Sequence, residues 1–246
     1  MIMMAEPLAQ SVRQIKASIA ARTEARAESA GTPKKVRVIH VSPRGRVFDD
    51  RLARELATYT DLVFVSSRYG GADQRFLNSE VDEEISIGDY ILTGGELAAL
   101  VLIDAIGRLK NGVLGNDSSA TNETFAGTNG LLEHPQFTRP RDWAGHEVPA
   151  VYMSGDHAKI AAYQEGLGFL LTALLRPDLL KKTAETGSLT SKKISAILKQ
   201  LGAMSDLELA QVGLLRPGET SANAVEVRLK IEAELNQLQT SNVRRS

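Results

Sequence analysis

Cysteine is absent from the 246-residue chain. Its absence excludes disulfides, a thiol nucleophile and thiolate metal sites, and it fits a reducing compartment such as the cytoplasm. An excess of charge of one sign is missing too: 29 Lys and Arg stand against 30 Asp and Glu, a formal net charge of -1. No global basic field announces nucleic acid, so an RNA partner has to be held by a local patch. No apolar run is long enough to span a membrane, and the N-terminus has no signal-peptide core. No repeat period is visible. The four histidines, His40, His134, His146 and His157, are scattered without paired ligand spacing, which argues against a zinc enzyme. What is present is ordinary for a soluble globular protein: 43% hydrophobic and 24% charged residues, enough to build a sizeable core in one large or two smaller domains.

From the N-terminus, the spacing predicts a helix from Glu6 to about Glu28, with Pro7 in its first turn and Leu8, Val12, Ile15 and Ile19 on one face. Val36 to Val41 is rich in β-branched residues and reads as a strand that stops at the turn Ser42-Pro43-Arg44-Gly45-Arg46. Asp49 and Asp50 are placed to cap a helix from Arg51 to about Thr58, and Asp61 to Ser66 is a second buried strand. Strand, helix and strand at this spacing imply a parallel α/β unit. Ligands in such sheets lie beyond the carboxyl ends of the strands. Three loops follow strand ends, Ser42–Arg46, Ser67–Arg75 and Gly88–Gly95, and their convergence on one crevice is expected. Glu80, Asp82, Glu83 and Glu84 form an acidic run that reads as solvated surface.

The stretch Ser86 to Arg108, SIGDYILTGGELAALVLIDAIGR, organises the rest. It reads as a strand end, a glycine-rich turn and a helix apolar on nearly every side, as a helix buried against a sheet would be. Paired glycines at 94 and 95 let backbone approach a ligand closely, and the N–H groups opening the next helix are donors without partners. A turn of this kind binds a small polar molecule mostly with backbone; equally, it serves as a plain strand–turn–helix junction.

Asn111 to about Trp143 shows no periodicity, and its Asn, Asp, Ser, Thr and Gly content suggests an active-site lid or interdomain linker. Val148 to Met153 reads as a last short strand. Ser154-Gly-Asp156 caps a helix starting near His157. Beyond it the pattern is helical, broken at Pro177, Gly187 and Pro217, with amphipathic stretches at Thr190–Leu201 and Ala222–Leu238. A small α-helical domain therefore follows the α/β domain.

Several strings together resemble the bacterial tRNA (guanine-N1)-methyltransferases, members of the SPOUT class of knotted methyltransferases: HVSPRGR (40–46), SRYGGADQR (67–75), EVDEEISIGDYILTGGELAALVLIDAIGRL (80–109), GVLGNDSSAT (112–121), LLEHPQFTRP (131–140), VPAVYMSGDHAKI (148–160) and LRPDLL (175–180). They stand in family order and cover roughly residues 1 to 200. The resemblance implies a Rossmann-like parallel sheet with a C-terminal trefoil knot, followed by a small α-helical domain. It divides the chain into a cofactor-binding domain over 1–115, closed by 148–155, a lid and linker over 116–147, and a helical tRNA-binding-type domain over 156–246. It implies S-adenosylmethionine as methyl donor, with Mg2+ a further candidate. It also implies tRNA as substrate, a homodimer whose active sites are built from both subunits, and a cytoplasmic protein with no membrane partner. The reaction would be methylation of N1 of guanosine 37, the nucleotide 3′ of the anticodon.

Carried over one position at a time, Ser42 and Pro43 match the first cofactor loop, and Ser67, Arg68 and Tyr69 the second. Ile87, Gly88, Tyr90, Leu92, Gly94 and Gly95 match the third. Arg108 matches the arginine that stabilises charge on the guanine. Glu123 falls where the family carries its general-base aspartate. Ser119 lies in the loop that closes over the target base, and Arg139 on the substrate side. The types suit the chemistry. Guanine N1 carries a proton at neutral pH, a carboxylate in reach removes it, and an arginine stabilises the charge that spreads onto O6.

The chain departs from the pattern at four places. Met1-Ile2-Met3-Met4 matches a string that the family precedes with a strand, a helix and a glycine-rich loop, so the resemblance expects either a late recorded start or loss of a core strand. Glu123 replaces aspartate. Gly70 stands where the family has a glutamate facing the target guanine. Ala161, Ala162 and Gln164 occupy helix positions expected to be basic. Two further readings stay open at this point: a relative that binds S-adenosylmethionine or a partner without methylating, and a SPOUT enzyme acting on another RNA.

Overall fold

Val36 to Val41 forms the centre of the first half of the molecule. In the computed structural model, which describes residues 1–24, 35–110, 112–113, 124–125, 130–185, 189–216 and 218–243, β1 (Val36–Val47) lies between β2 (Asp61–Ser66) and β3 (Glu83–Ser86) in a parallel sheet of order β2-β1-β3. Side chains alternate between the two faces. Ile39 and Val41 pack with Leu52 and Leu56 of α2 (Asp50–Ala57) and with Leu102 and Ile106 of α4 (Glu96–Gly107). Val38 packs with Val12 and Ile19 of α1 (Ala5–Glu24) and with Phe76 and Leu77 of α3 (Gln74–Glu80). Helices on both faces explain why these strands read as continuous apolar runs. The predicted cap is in place: the Asp49 side chain accepts a hydrogen bond from the Leu52 N–H at 2.9 Å. Asp73 does the same for α3, accepting from the Arg75 N–H. The chain divides into two compact units, Met1–Ala120, which holds this sheet, and Thr121–Ser246.

Three expectations change here. β1 does not stop at Ser42. Val41 and Arg46 both register with Ile85, so the segment between them is a bulge inside a strand that resumes through Val47. Ser-Pro-Arg-Gly has turn chemistry, but a bulge tolerates proline because the bulged residues leave the ladder. Second, the acidic run is more than solvated surface, although Asp82 is exposed. Glu80 is buried and bonds Arg13 of α1 at 2.6 Å, with Lys16 beside it. The Asp82 carboxylate accepts the Val38 N–H at 2.7 Å. Glu83 pairs with Arg37 and Arg46, and Glu84 with Arg44. Each carboxylate ties β3 or its approach to another element. Third, α4 is not buried all round. Leu102 and Ile106 are covered, whereas Leu97, Leu100, Val101 and Ile103 are 61, 58, 49 and 47% exposed.

The second unit is largely helical among its described residues. Asp156 caps α5 (His157–Leu175) as expected, accepting from the Lys159 N–H, and Thr190 caps α7 (Ser191–Ala203). α6 (Pro177–Glu185), α8 (Asp206–Gln211) and α9 (Ser221–Val243) complete it around a core that includes Leu167, Phe169, Leu170, Ile194, Leu201, Ile231 and Leu235. The strand expected over Val148–Met153 is a 3-10 turn, Ala150–Met153. The local β structure lies just before it, in a hairpin of β4 (Asp142–Trp143) and β5 (His146–Glu147). Ala144 and Gly145 turn that hairpin with φ of 52° and 84°, the two positive values a tight two-residue turn needs.

Candidate active site

The bulge of β1 and the carboxyl ends of β2 and β3 open on one cavity of about 420 Å³, within the range of cofactor-sized pockets. The three loops expected to converge do so. Ser42 and Pro43 line it from the β1 bulge, Ser67, Arg68 and Tyr69 from the loop after β2, and Ile87, Gly88, Tyr90, Leu92, Gly94 and Gly95 from the loop after β3.

Backbone contacts hold the loops against one another. The Gly95 N–H donates to the Ser67 carbonyl at 3.1 Å, and Arg68 and Gly94 form an isolated antiparallel bridge. A β-carbon on Gly95 would fall 2.7 Å from Val41 Cγ2 and 3.0 Å from Ser66 Cα. The glycine there lets the start of α4 sit directly on the ends of β1 and β2. Gly88 has φ 143°, and a β-carbon would press on the Tyr90 ring. The Ser86 hydroxyl donates to the Gly88 carbonyl and accepts the Gly88 N–H, each at 3.2 Å, which fixes that turn. Met1 and Met3 support the second loop: the Gly70 N–H donates to Met1 O, the Met3 N–H to Gly71 O, and the Asp73 N–H to Met3 O. α4 opens at Gly95 with no side-chain cap, so its first N–H groups face the cavity end unpaired by a cap.

Two ion pairs flank the opening. The Arg68 Nε–H donates to Glu96 Oε1 at 2.7 Å. That hydrogen bond holds the Glu96 carboxyl below its usual range and raises the guanidinium. Both groups are solvent-exposed, so the pair clasps loop to helix more than it stabilises the fold. Arg44 donates from Nη2 to both Glu84 oxygens at 3.1 Å and from Nη1 to Gln74 at 3.2 Å. Asp73 pairs with Arg75, which lowers its carboxyl to about 2 through that hydrogen bond; this pair stiffens the loop and neither residue lines the cavity.

Of the remaining predicted residues, Arg108 does not line the cavity. Arg108 is the C-cap of α4, about 20 Å along the helix axis from Gly95 at 1.5 Å per residue. Arg139 is exposed and belongs to the second unit. Ser119 and Glu123 lie outside the described residues. Arg44, Gln74 and His40 line the cavity and are site residues that sequence reading does not single out; Glu96 adjoins it by holding Arg68. Glu96 is within reach of that reading, since a charged first-turn residue after paired glycines must lie beside the turn. Among the described residues no group of three or more His, Asp or Glu side chains is suited to a metal ion, and no helix is long and apolar enough to cross a membrane.

Comparison with known proteins agrees with this geometry. The family model described as tRNA (Guanine-1)-methyltransferase TrmD matches residues 1–182. A protein of Geobacter sulfurreducens named tRNA (guanine-N(1)-)-methyltransferase is 46% identical over 188 residues, 76% of this chain and 70% of its own length. Its counterpart in Geobacter metallireducens is 44% identical over 182 residues, 74% of this chain and 68% of its own. A protein of the same name from Desulfatibacillum aliphaticivorans is 42% identical over 223 residues, 91% of this chain and 77% of its own. With the cofactor-type crevice and the ordered strings in place, the chain belongs to the tRNA (Guanine-1)-methyltransferase TrmD family.

Proposed function

We propose that this protein transfers a methyl group from S-adenosylmethionine to N1 of guanosine 37 in tRNA. The observation that carries the reading is the convergence of the three matched loops on one cavity, in a chain whose curated relatives carry this one name. Their shared name favours methylation over a degenerate binder. The glycines at 88, 94 and 95 leave room for a ligand against backbone, and polar groups from all three loops suit a nucleoside with a charged tail. When bound there, S-adenosylmethionine supplies an electrophilic methyl on a sulfonium. The chain's own work is alignment and proton removal. Glu123 takes the N1 proton, and Arg108 stabilises the charge left on O6. The segment 116–147, with Ser119 and Arg139, is read as the lid and linker over the target base. Gly70 removes a carboxylate that the resemblance places there, and with it one possible ligand for Mg2+. A trefoil knot and a cytoplasmic location are part of the family reading.

A homodimer completes the site in this reading. Leu97, Leu100 and Val101 recur at the i, i+3, i+4 spacing of one helix face and are exposed together with Ile103. A contiguous apolar stripe of this kind marks an interaction surface, and it lies on the helix that ends at Arg108. A second copy packed here would bring to each cavity groups that one protomer leaves at the far end of α4. Leu100→Arg is therefore expected to shift the protein from dimer to monomer in sedimentation or light scattering and to reduce methyl transfer. A variant that stays dimeric, or a monomeric wild type, overturns this surface as the interface.

The function itself is tested by methyl transfer from labelled S-adenosylmethionine to a leucine tRNA transcript with guanosine at position 37, beside one with adenosine there. Label confined to the guanosine transcript is expected. Folded protein that binds the donor yet labels neither transcript would sink the enzyme reading.

A further inference from the structure

One buried group at the cavity has no part in the chemistry above. His40, on the central strand, is 3% exposed and has a partner on each ring nitrogen: Nδ1 lies 2.9 Å from Glu84 Oε1 on β3, and Nε2 lies 3.0 Å from the Ser67 hydroxyl after β2. His40 and Ser67 both line the cavity. Arg44 donates to the same carboxylate from the β1 bulge. Burial opposes ionisation of Glu84, but the hydrogen bonds from His40 and Arg44 outweigh it, and the carboxyl sits below its usual range.

These contacts place one ring proton and, for a neutral ring, the hydroxyl proton as well. An ionised carboxylate only accepts, so Nδ1 of His40 must carry a proton and donate to Glu84. In the neutral ring Nε2 is then bare and accepts, so the Ser67 O–H donates to it. A serine hydroxyl has one proton, and here it is committed. What the Ser67 oxygen retains is lone-pair capacity beside the cavity. An acidic partner that sets a histidine tautomer, which in turn orients a third group, is a known way of fixing polarity at a site.

We propose that Glu84 and His40 hold the Ser67 hydroxyl as a hydrogen-bond acceptor, which receives an N–H or O–H donor of the nucleoside-type ligand in the cavity. His40 and Glu84 are positioning residues in this scheme, and Ser67 is the group that touches the ligand. The assignment rests on the reading of the cavity as the S-adenosylmethionine site. Ser67 is well placed for the role, because its carbonyl also receives the Gly95 N–H. One residue thus joins the second loop to the third and fixes a polar atom between them.

The test is titration calorimetry of the full chain with S-adenosylmethionine. Ser67→Ala is expected to weaken binding about three- to tenfold, the range for one neutral hydrogen bond. His40→Phe fills the same buried volume without an acceptor and is expected to weaken binding equally. Because His40 acts through Ser67, the double variant is expected to bind no more weakly than either single one. His40→Gln, whose amide oxygen can accept from Ser67, is expected to recover affinity, and with Ser67→Ala it decides the matter if His40→Phe does not fold. Nitrogen-15 histidine spectra should show the buried ring protonated at Nδ1 and bare at Nε2. The relay is overturned if Ser67→Ala binds within about twofold of wild type, if the two losses add, or if Nε2 carries the proton. A folded wild type that does not bind S-adenosylmethionine overturns the cavity assignment itself, an outcome distinct from wild-type binding that Ser67→Ala leaves unchanged.

Discussion

Replacing Glu123 by glutamine is expected to lower methyl transfer to the guanosine-37 transcript by about 10²–10⁴-fold while leaving S-adenosylmethionine affinity unchanged. The size is that of a lost general base. Glutamine keeps the length and hydrogen-bonding reach of the side chain but cannot take the N1 proton, and neutral guanine N1 has no free lone pair with which to attack the methyl. The loss should fall on kcat and kcat/KM together, the pattern of a group needed only in the transition state. Glu123→Asp is the informative companion. It keeps the carboxylate and moves it back by one methylene to the residue the family pattern carries at this place. A displacement of that order at a reacting centre costs considerable rate when the loop does not follow. If aspartate is slower than glutamate, the surrounding loop is built for the longer side chain. If glutamine is as fast as wild type, the base lies elsewhere and the role assigned to Glu123 is wrong. Single-turnover transfer with saturating donor reads both variants directly.

Gly45→Ala is expected to destabilise the first unit by about 3 kcal/mol, the upper end of overpacking penalties, and to abolish donor binding. A β-carbon at residue 45 would fall onto the Ile85 amide nitrogen and the Glu84 carbonyl group, well inside contact distance. Both are backbone atoms of β3, so no side-chain rotation relieves the clash. Relief requires the bulge between Val41 and Arg46 to lift off β3, and Ile85 is the residue that registers with both. Ser42, Pro43 and Arg44 would lift with it, withdrawing one wall of the cavity and the cation that faces Glu84. Thermal unfolding with and without S-adenosylmethionine measures the two effects. A variant with wild-type stability would show that the bulge shifts freely and that β3 does not hold it.

How far the sequence could be read varies element by element, for physical reasons. Strands β1 and β2 and helix α2 announce themselves through β-branched runs and Asp49, because local pattern and local capping agree there. The site loops are legible mainly through the resemblance, because glycine at 88, 94 and 95 alone fits a plain junction as well as a ligand-holding turn. The acidic run was misread because its partners are distant in sequence. Arg13 is 67 residues from Glu80, and no local period reveals that a charge will be buried against a helix from the N-terminus. The bulge in β1 was missed because Pro43 and Gly45 look alike whether a chain turns away or merely arches over its neighbour. The 3-10 turn at Ala150–Met153 reads as a strand because its apolar run is too short for periodicity to separate the two. In the sequence His40 is one of four scattered histidines. Only the pairing of β1 with β3 and the end of β2 puts Glu84 and Ser67 on either side of its ring.

The ties between the cavity loops also bear on conformational entropy. The second loop is bonded to Met1 and Met3 and to Gly95, Arg68 is clasped to Glu96, and the Gly88 turn is closed by Ser86. Tyr69 already sits at φ 59°, a value unfavourable for a bulky side chain. The cost of ordering these segments, on the order of 1–2 kcal/mol per residue, falls on folding and not on ligand capture. A cradle tied together in this way can then hold a flexible molecule in one shape, because the freedom still to be lost is chiefly the ligand's own.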